Sequence, residues 1–121
     1  MTKKILLIDD DSLVLRSLEL LLQKEGYVVL SAGSYEEALI AIEKQEFDLV
    51  LSDIRMPGKD GVATAKAIQE KLTKSGKKDL PIVFITGYAG EEFKLEAPFL
   101  GETLYKPIDT EKLLVTLREY L

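Results

Sequence analysis

Residues Leu49–Gly61 read LVLSDIRMPGKDG. An apolar run passes through Ser52 into an acid, Asp53, and a turn-rich segment follows at once with Met56-Pro57-Gly58 and Asp60-Gly61. A strand that ends on a carboxylate and then breaks sets that carboxylate at the mouth of a sheet. In open α/β folds, ligand chemistry collects at the carboxyl ends of the strands. Asp53 is therefore the first candidate functional residue, and the flanking segments are read for what they bring to it.

Upstream, Lys4–Ile8 (KILLI) is nearly all apolar, the pattern of a strand buried on both faces, and it runs into Asp9, Asp10 and Asp11. A helix is predicted from Ser12 to about Glu25, stopped by Gly26. Val14, Leu18 and Leu21 form its stripe, with Leu15 and Leu22 beside it; Leu13 and Leu20 lie off the stripe. Tyr27–Ala32 is the second strand. Ser34, with Glu37 three residues on, signals a capping box that opens a helix over Tyr35–Gln45, with Ala38, Ile42 and Leu39 inward. Phe47–Ser52 is the third strand, feeding Asp53.

Downstream, Gly58 and Gly61 suit a tight turn near a ligand. A helix over Val62–Thr73 buries Ala65, Ile68 and Leu72, and Ser75–Asp79 is a polar turn. Pro81–Thr86 is the fourth strand, ending on a hydroxyl. The pattern weakens from Gly87 to Gly101, where a short helix over Glu91–Ala97 is stopped by Pro98. Thr103–Tyr105 is the fifth strand, and Asp109 caps a last helix that buries Leu113, Leu114 and Leu117. Strands alternating with helices over short loops predict a doubly wound α/β domain, with a parallel sheet covered on both faces, over residues 1–121.

Composition narrows the chemistry. The 121 residues are 46% hydrophobic and 31% charged, one domain's worth with a sizeable core. There is no cysteine, so no disulfide or thiolate metal site, and no histidine, so any imidazole must come from another molecule. A formal charge of −5 argues against direct DNA binding, which needs clustered Lys and Arg. No apolar run approaches a membrane span. The start, Met-Thr-Lys-Lys, leads straight into a strand, so the expected location is cytoplasmic.

In a parallel sheet these strand ends point the same way. Asp9 and Asp10 leave the first strand, Asp53 the third, Thr86 the fourth and Lys106 the fifth. Three carboxylates on one rim repel one another and favour a hard cation held by oxygen; Mg²⁺ is the natural choice. The bland reading makes each acid a solvated loop residue, but four of the five strands would have to end this way by accident. Mg²⁺ beside a lysine suggests phosphoryl chemistry. A Gly-x-x-x-x-Gly-Lys-Ser/Thr loop is absent, and an aspartate can itself be the nucleophile, forming an acyl phosphate.

At this point the chain resembles the receiver domain of two-component response regulators. The resemblance rests on LLIDDD (Leu6–Asp11), LVLSDIRMPGKDG (Leu49–Gly61), ITG (Ile85–Gly87) and YKPI (Tyr105–Ile108), and it covers essentially the whole chain. It implies a (βα)5 fold with strand order 2-1-3-4-5. It implies that Asp53 accepts a phosphoryl group from a phosphohistidine on a histidine kinase or histidine phosphotransfer protein. Asp10 and Asp53 would hold Mg²⁺ directly, Asp9 through water, and Arg55 through its backbone carbonyl. Lys106 would pair with the acceptor carboxylate and then with the phosphoryl oxygens, while Thr86 would hydrogen-bond the phosphoryl group. The same pocket in the family catalyses slow loss of that group to water, so the domain acts on itself rather than turning over a substrate.

Other residues carry two readings. Met56 and Pro57 are turn residues that, by the resemblance, shape the acceptor loop. Asp11 is read as a helix cap in preference to a ligand. Leu13 and Leu20 are either exposed leucines without a role or the docking patch for the histidine-bearing helices. Arg55 and Tyr88, which by the resemblance flank the path of the attacking water, suggest a long-lived phosphoryl group. Thr103 stands three positions before Lys106, where the common switch has an aromatic residue; the nearby aromatic is Tyr105. Alternation along a strand sets both away from the faces that the usual switch residue and its lysine would occupy, which puts the usual coupling of Thr86 to a swinging aromatic in doubt.

PIVFITGY (Pro81–Tyr88) with Pro98 also partly resembles a receiver subgroup named for its Phe-Ala-Thr-Gly-Tyr motif, many of whose members are single-domain; Ile85 departs from the motif. The expected role is a regulator or relay shuttle, with a downstream protein as target and a monomeric or weakly dimeric state. A receiver that is part of a larger protein stays open. The alternatives are a non-phosphorylated pseudo-receiver that serves as an interaction module, and a metal-dependent phosphatase. The acid-Thr-Lys set speaks against the first, and the lack of an insertion long enough for a cap speaks against the second.

Overall fold

The computed structural model describes residues 2–54, 60–87 and 101–121. Five strands, β1 (Lys4–Ile8), β2 (Val28–Ala32), β3 (Leu49–Asp53), β4 (Ile82–Thr86) and β5 (Glu102–Tyr105), form one parallel sheet in the order 2-1-3-4-5. Among the described residues the helices are α1 (Ser12–Lys24), α2 (Tyr35–Lys44), α3 (Gly61–Lys74) and α4 (Thr110–Tyr120). The helix expected over Glu91–Ala97 lies outside the described residues, as do Arg55, Met56, Pro57, Tyr88 and Pro98.

Strand alternation sorts the core into two layers. Leu6, Ile8, Val50, Ile82 and Phe84 face Ala38 and Ile42 of α2 and Ala65, Ile68 and Leu72 of α3. Ile5, Leu7, Leu49, Leu51, Val83 and Ile85 face Leu18 and Leu22 of α1 and Leu113, Leu114 and Leu117 of α4. The continuous apolar strands are thus buried on both faces, as a doubly wound sheet requires. On α1 the stripe centres on Leu18 and Leu22; Val14, Leu15 and Leu21 are only half-buried flanks.

Local signals fix the ends of the elements. Asp11 caps α1, accepting from the N–H groups of Leu13 and Val14 at 2.9 and 3.3 Å, which settles its reading as a cap. α1 stops because Gly26 takes φ +93°, so that its N–H reaches the Gln23 carbonyl and the Tyr27 N–H reaches that of Leu22. That motif consumes Tyr27, and β2 starts one residue later than the sequence pattern suggests. The capping box at α2 is only half reciprocal. Ser34 Oγ accepts from the Glu37 N–H, but Glu37 reaches back to the N–H of Gly33 at 3.0 Å rather than to that of Ser34. β3 extends to Asp53 itself, because the Ile54 N–H still donates to the Ile85 carbonyl at 3.1 Å beyond it.

Candidate functional site

β1 and β3 are neighbours, while β2 lies on the other side of β1. The chain therefore changes direction across the sheet beside the strand ends that carry Asp9, Asp10 and Asp53, the place where open α/β sheets bind ligands. One carboxylate oxygen from each of the three acids lies within 4.8 Å of the others. Asp9 is 3% and Asp53 8% exposed, and Asp10 is open to solvent.

Asp9 carries the electrostatic cost of this arrangement. Burial pushes its carboxyl up to about 6, and the neighbouring Asp53 and Asp10 add to the rise. The Asp11 N–H, donating to Asp9 Oδ1 at 2.9 Å, and the Lys106 ammonium pull the other way without cancelling it. A desolvated anion between two further carboxylates is a poor resting state, so the donor set fits a hard divalent cation.

Lys106 enters from the end of β5. Its N–H donates to the Thr86 carbonyl at 2.8 Å, which seats it beside β4. From there Nζ reaches Asp53 Oδ2 at 3.4 Å and Asp9 Oδ2 at 3.9 Å. The Lys106–Pro107 peptide is cis. Thr86 is fully buried at the end of β4. The rim thus collects Asp9, Asp10, Asp53, Thr86 and Lys106, and it leaves Asp11 to cap α1. Such a set can bind a cation, present a carboxylate as nucleophile and neutralise a charged oxygen with an ammonium.

The family model of the response regulator receiver domain matches residues 5–118. The chain belongs to that family. It is 39% identical over 119 residues to the "Transcriptional regulatory protein ZraR" of Escherichia coli (strain K12), with 97% of this chain and 26% of the relative covered. The receiver thus spans about a quarter of the length of that relative. The chemotaxis protein CheY4 of Vibrio cholerae superposes with a TM-score of 0.87 at 33% identity, covering 100% of both chains. A CheY-like receiver domain of Methanospirillum hungatei JF-1 gives 0.86 at 30% identity, covering 98% of this chain and 93% of its own. This is a phosphoacceptor receiver domain of two-component signalling with an acidic active-site cluster. Among the described residues, no helix is long and apolar enough to cross a membrane.

Asp9 is the most deeply buried acid of the cluster. The rim departs from its sequence reading at the end of β5. Register pairs Phe84 with Thr103 and Thr86 with Tyr105. Thr103 and Tyr105 therefore share one face of β5, the face of Thr86, and Tyr105 stands directly beside Thr86. Tyr105 is 56% exposed, and Thr103 Oγ1 is a buried atom with no hydrogen-bond partner among the described residues.

Finally, the two surface leucines are not equivalent. Leu13, 78% exposed, lines a cleft of about 530 Å³ together with Ser17, Leu21, Pro107 and Ile108, and Lys106 forms part of its wall. Leu20, 51% exposed, does not line it. The residues that sequence reasoning missed are Ser52, whose Oγ donates to the Asp53 carbonyl at 2.9 Å, and Asp60, whose Oδ1 caps α3 through the Ala63 N–H at 2.8 Å. The Asp-Gly pair at 60–61 was the available signal for the cap.

Proposed function

We propose that Asp53 accepts a phosphoryl group from a phosphohistidine of a histidine kinase or histidine phosphotransfer protein, and that the change is read by a downstream protein. The observation that carries this reading is the reach of Lys106 Nζ to Asp53 Oδ2, 3.4 Å, within a cluster of three carboxylates. In the transfer, an Asp53 carboxylate oxygen forms the new O–P bond as the N–P bond to the donor imidazole breaks; the imidazole leaves with that electron pair and takes up a proton. Lys106 holds the charge on a phosphoryl oxygen, and the Thr86 hydroxyl donates to another. Asp10 and Asp53 directly, Asp9 through water and the Arg55 carbonyl would hold Mg²⁺. When bound, Mg²⁺ supplies charge neutralisation at the transferring oxygens.

The apolar cleft beside Lys106 suits the donor's helices, since a helix seated against Leu13, Leu21 and Ile108 brings its histidine to the rim. The same pocket also promotes loss of the phosphoryl group to water, whose oxygen forms the new bond to phosphorus as the Asp53 O–P bond breaks and inorganic phosphate leaves. By the family resemblance, Arg55 and Tyr88 hold positions that flank the path of that water and slow the loss. The domain acts as a monomer or weak dimer and makes no direct contact with DNA.

Intact-mass measurement after incubation with Mg²⁺ and acetyl phosphate tests the reading. One added phosphoryl group is expected, absent in Asp53→Asn and in the presence of a chelator. No adduct together with no Mg²⁺ binding would instead mark a pseudo-receiver that only binds partners.

A further inference from the structure

The peptide that follows the acceptor is held from two sides. Ser52 Oγ donates to the Asp53 carbonyl at 2.9 Å. On the other side lies the bare Cα of Gly61, the first residue of α3. A Cβ built there would stand 1.9 Å from the Asp53 carbonyl oxygen and 2.9 Å from both Asp53 C and Ile54 Cα. Gly61 does not have a positive φ, so alanine suits its backbone conformation; only the acceptor's own peptide excludes the side chain. The Gly61 N–H donates to the Ile54 carbonyl at 2.7 Å, and the Ile54 N–H donates to β4, so the contact is pinned at both ends.

The helix cannot easily yield. Asp60 Oδ1 accepts from the Ala63 N–H, and Thr64 Oγ1 donates to the Asp60 carbonyl at 2.8 Å, locking the first turn of α3. An added methyl group would therefore displace the Asp53–Ile54 peptide and tilt the Asp53 carboxylate away from Asp9, Asp10 and Lys106. We infer that Gly61 and Ser52 are positioning residues that aim Asp53, with α3 as the fixed stop. This rests on the reading of Asp53 as acceptor. Displacements of about 1 Å at a reacting group cost as much as 10²-fold in rate.

A matched control exists at the opposite end of the sheet. A Cβ at Gly101 would stand 1.9 Å from the Ile82 carbonyl oxygen, an equal clash far from the acids. The experiment compares wild type, Gly61→Ala, Gly101→Ala and Ser52→Ala in urea melts, Mg²⁺ calorimetry and phosphorylation by acetyl phosphate followed by intact mass. Gly61→Ala should be phosphorylated at least tenfold more slowly and bind Mg²⁺ more weakly than wild type, while Gly101→Ala, though destabilised, stays within twofold on both. Wild-type behaviour of Gly61→Ala, or equal losses in Gly101→Ala, would overturn the inference. If Gly61→Ala does not fold, Ser52→Ala decides: a threefold or greater slowing supports positioning, and an unchanged rate overturns it. A wild type that takes no phosphoryl group from acetyl phosphate but binds Mg²⁺ leaves positioning to be decided by the Mg²⁺ titrations of the same variants, and a wild type that neither takes the group nor binds Mg²⁺ overturns the acceptor reading instead.

Discussion

Lys106 Nζ stands 3.4 Å from Asp53 Oδ2, and this one ammonium serves two acids, since Asp9 Oδ2 is 3.9 Å away. The cation offsets part of the repulsion among three carboxylates, but it also competes with any metal for them. Lys106→Met should therefore bind Mg²⁺ at least as tightly as wild type. Its phosphorylation by acetyl phosphate should nevertheless fall about 10²-fold, because a charge-stabilising donor at the transferring group is gone. Calorimetry and intact-mass time courses check the two halves. Weaker Mg²⁺ binding in the variant would show that Lys106 builds the metal site rather than the transfer site.

Asp9 makes the metal-free protein sensitive to pH. Burial raises its folded carboxyl to about 6 from the ordinary 3.8, so the folded state binds this proton more tightly than the unfolded chain. The sign follows: relative to a neutral residue at this position, stability is fully present below pH 3.8 and is lost as pH rises through about 6. Asp9→Asn keeps an acceptor for the Asp11 N–H and removes the buried charge. In EDTA at pH 7.5 it should be more stable than wild type by about 1–3 kcal/mol, and the difference should vanish near pH 4. Saturating Mg²⁺ should shrink or reverse it, because the metal stabilises only the intact cluster. Urea melts across the pH range check this.

Much of this was legible in the sequence, and the exceptions have a common cause. KILLI read correctly as a doubly buried strand and Phe47–Ser52 as a strand that overlaps the observed Leu49–Asp53, because periodicity is local. The rim acids followed from strand ends in a parallel sheet, and Asp11 as a cap followed from its place before Ser12. What stayed hidden depends on pairing across the sheet. Asp9 and Asp10 are adjacent acids in sequence, and only the packed rim shows that the first is buried and the second exposed. Tyr105 beside Thr86 follows from the β4–β5 register, which no spacing within Thr103–Lys106 reveals. The approach of Gly61 to Asp53 is likewise tertiary.

The cleft beside Lys106 separates two leucines that look alike on a helical projection. Leu13 lines the cleft beside Lys106 and Leu20 does not. Leu13→Glu should slow phosphotransfer from a histidine phosphotransfer protein by tenfold or more, with Leu20→Glu less affected. Phosphorylation by acetyl phosphate should stay unchanged in both, since neither residue belongs to the rim. Both are exposed, so stability should shift by no more than about 0.5 kcal/mol. A Leu13→Glu protein that is charged by its donor at the wild-type rate would remove α1 from the docking surface.

Thr103 offers a test of stability against switching. Its Oγ1 is buried without a hydrogen-bond partner among the described residues, and an unsatisfied buried hydroxyl costs roughly 1–3 kcal/mol. Valine has the same branched shape and suits a strand, so Thr103→Val should raise stability by about 1 kcal/mol in urea melts. Thr103 shares a face of β5 with Tyr105, and Tyr105 pairs in register with Thr86. If the hydroxyl is held unsatisfied at rest so that it can bond in the phosphorylated state, the gain in the resting protein should be matched by a smaller gain, or a loss, with a phosphoryl mimic such as beryllofluoride bound. An equal gain in both states would make Thr103 a defect of packing with no part in the switch. A gain confined to the resting state would place it in the path from Thr86 to the surface at Tyr105.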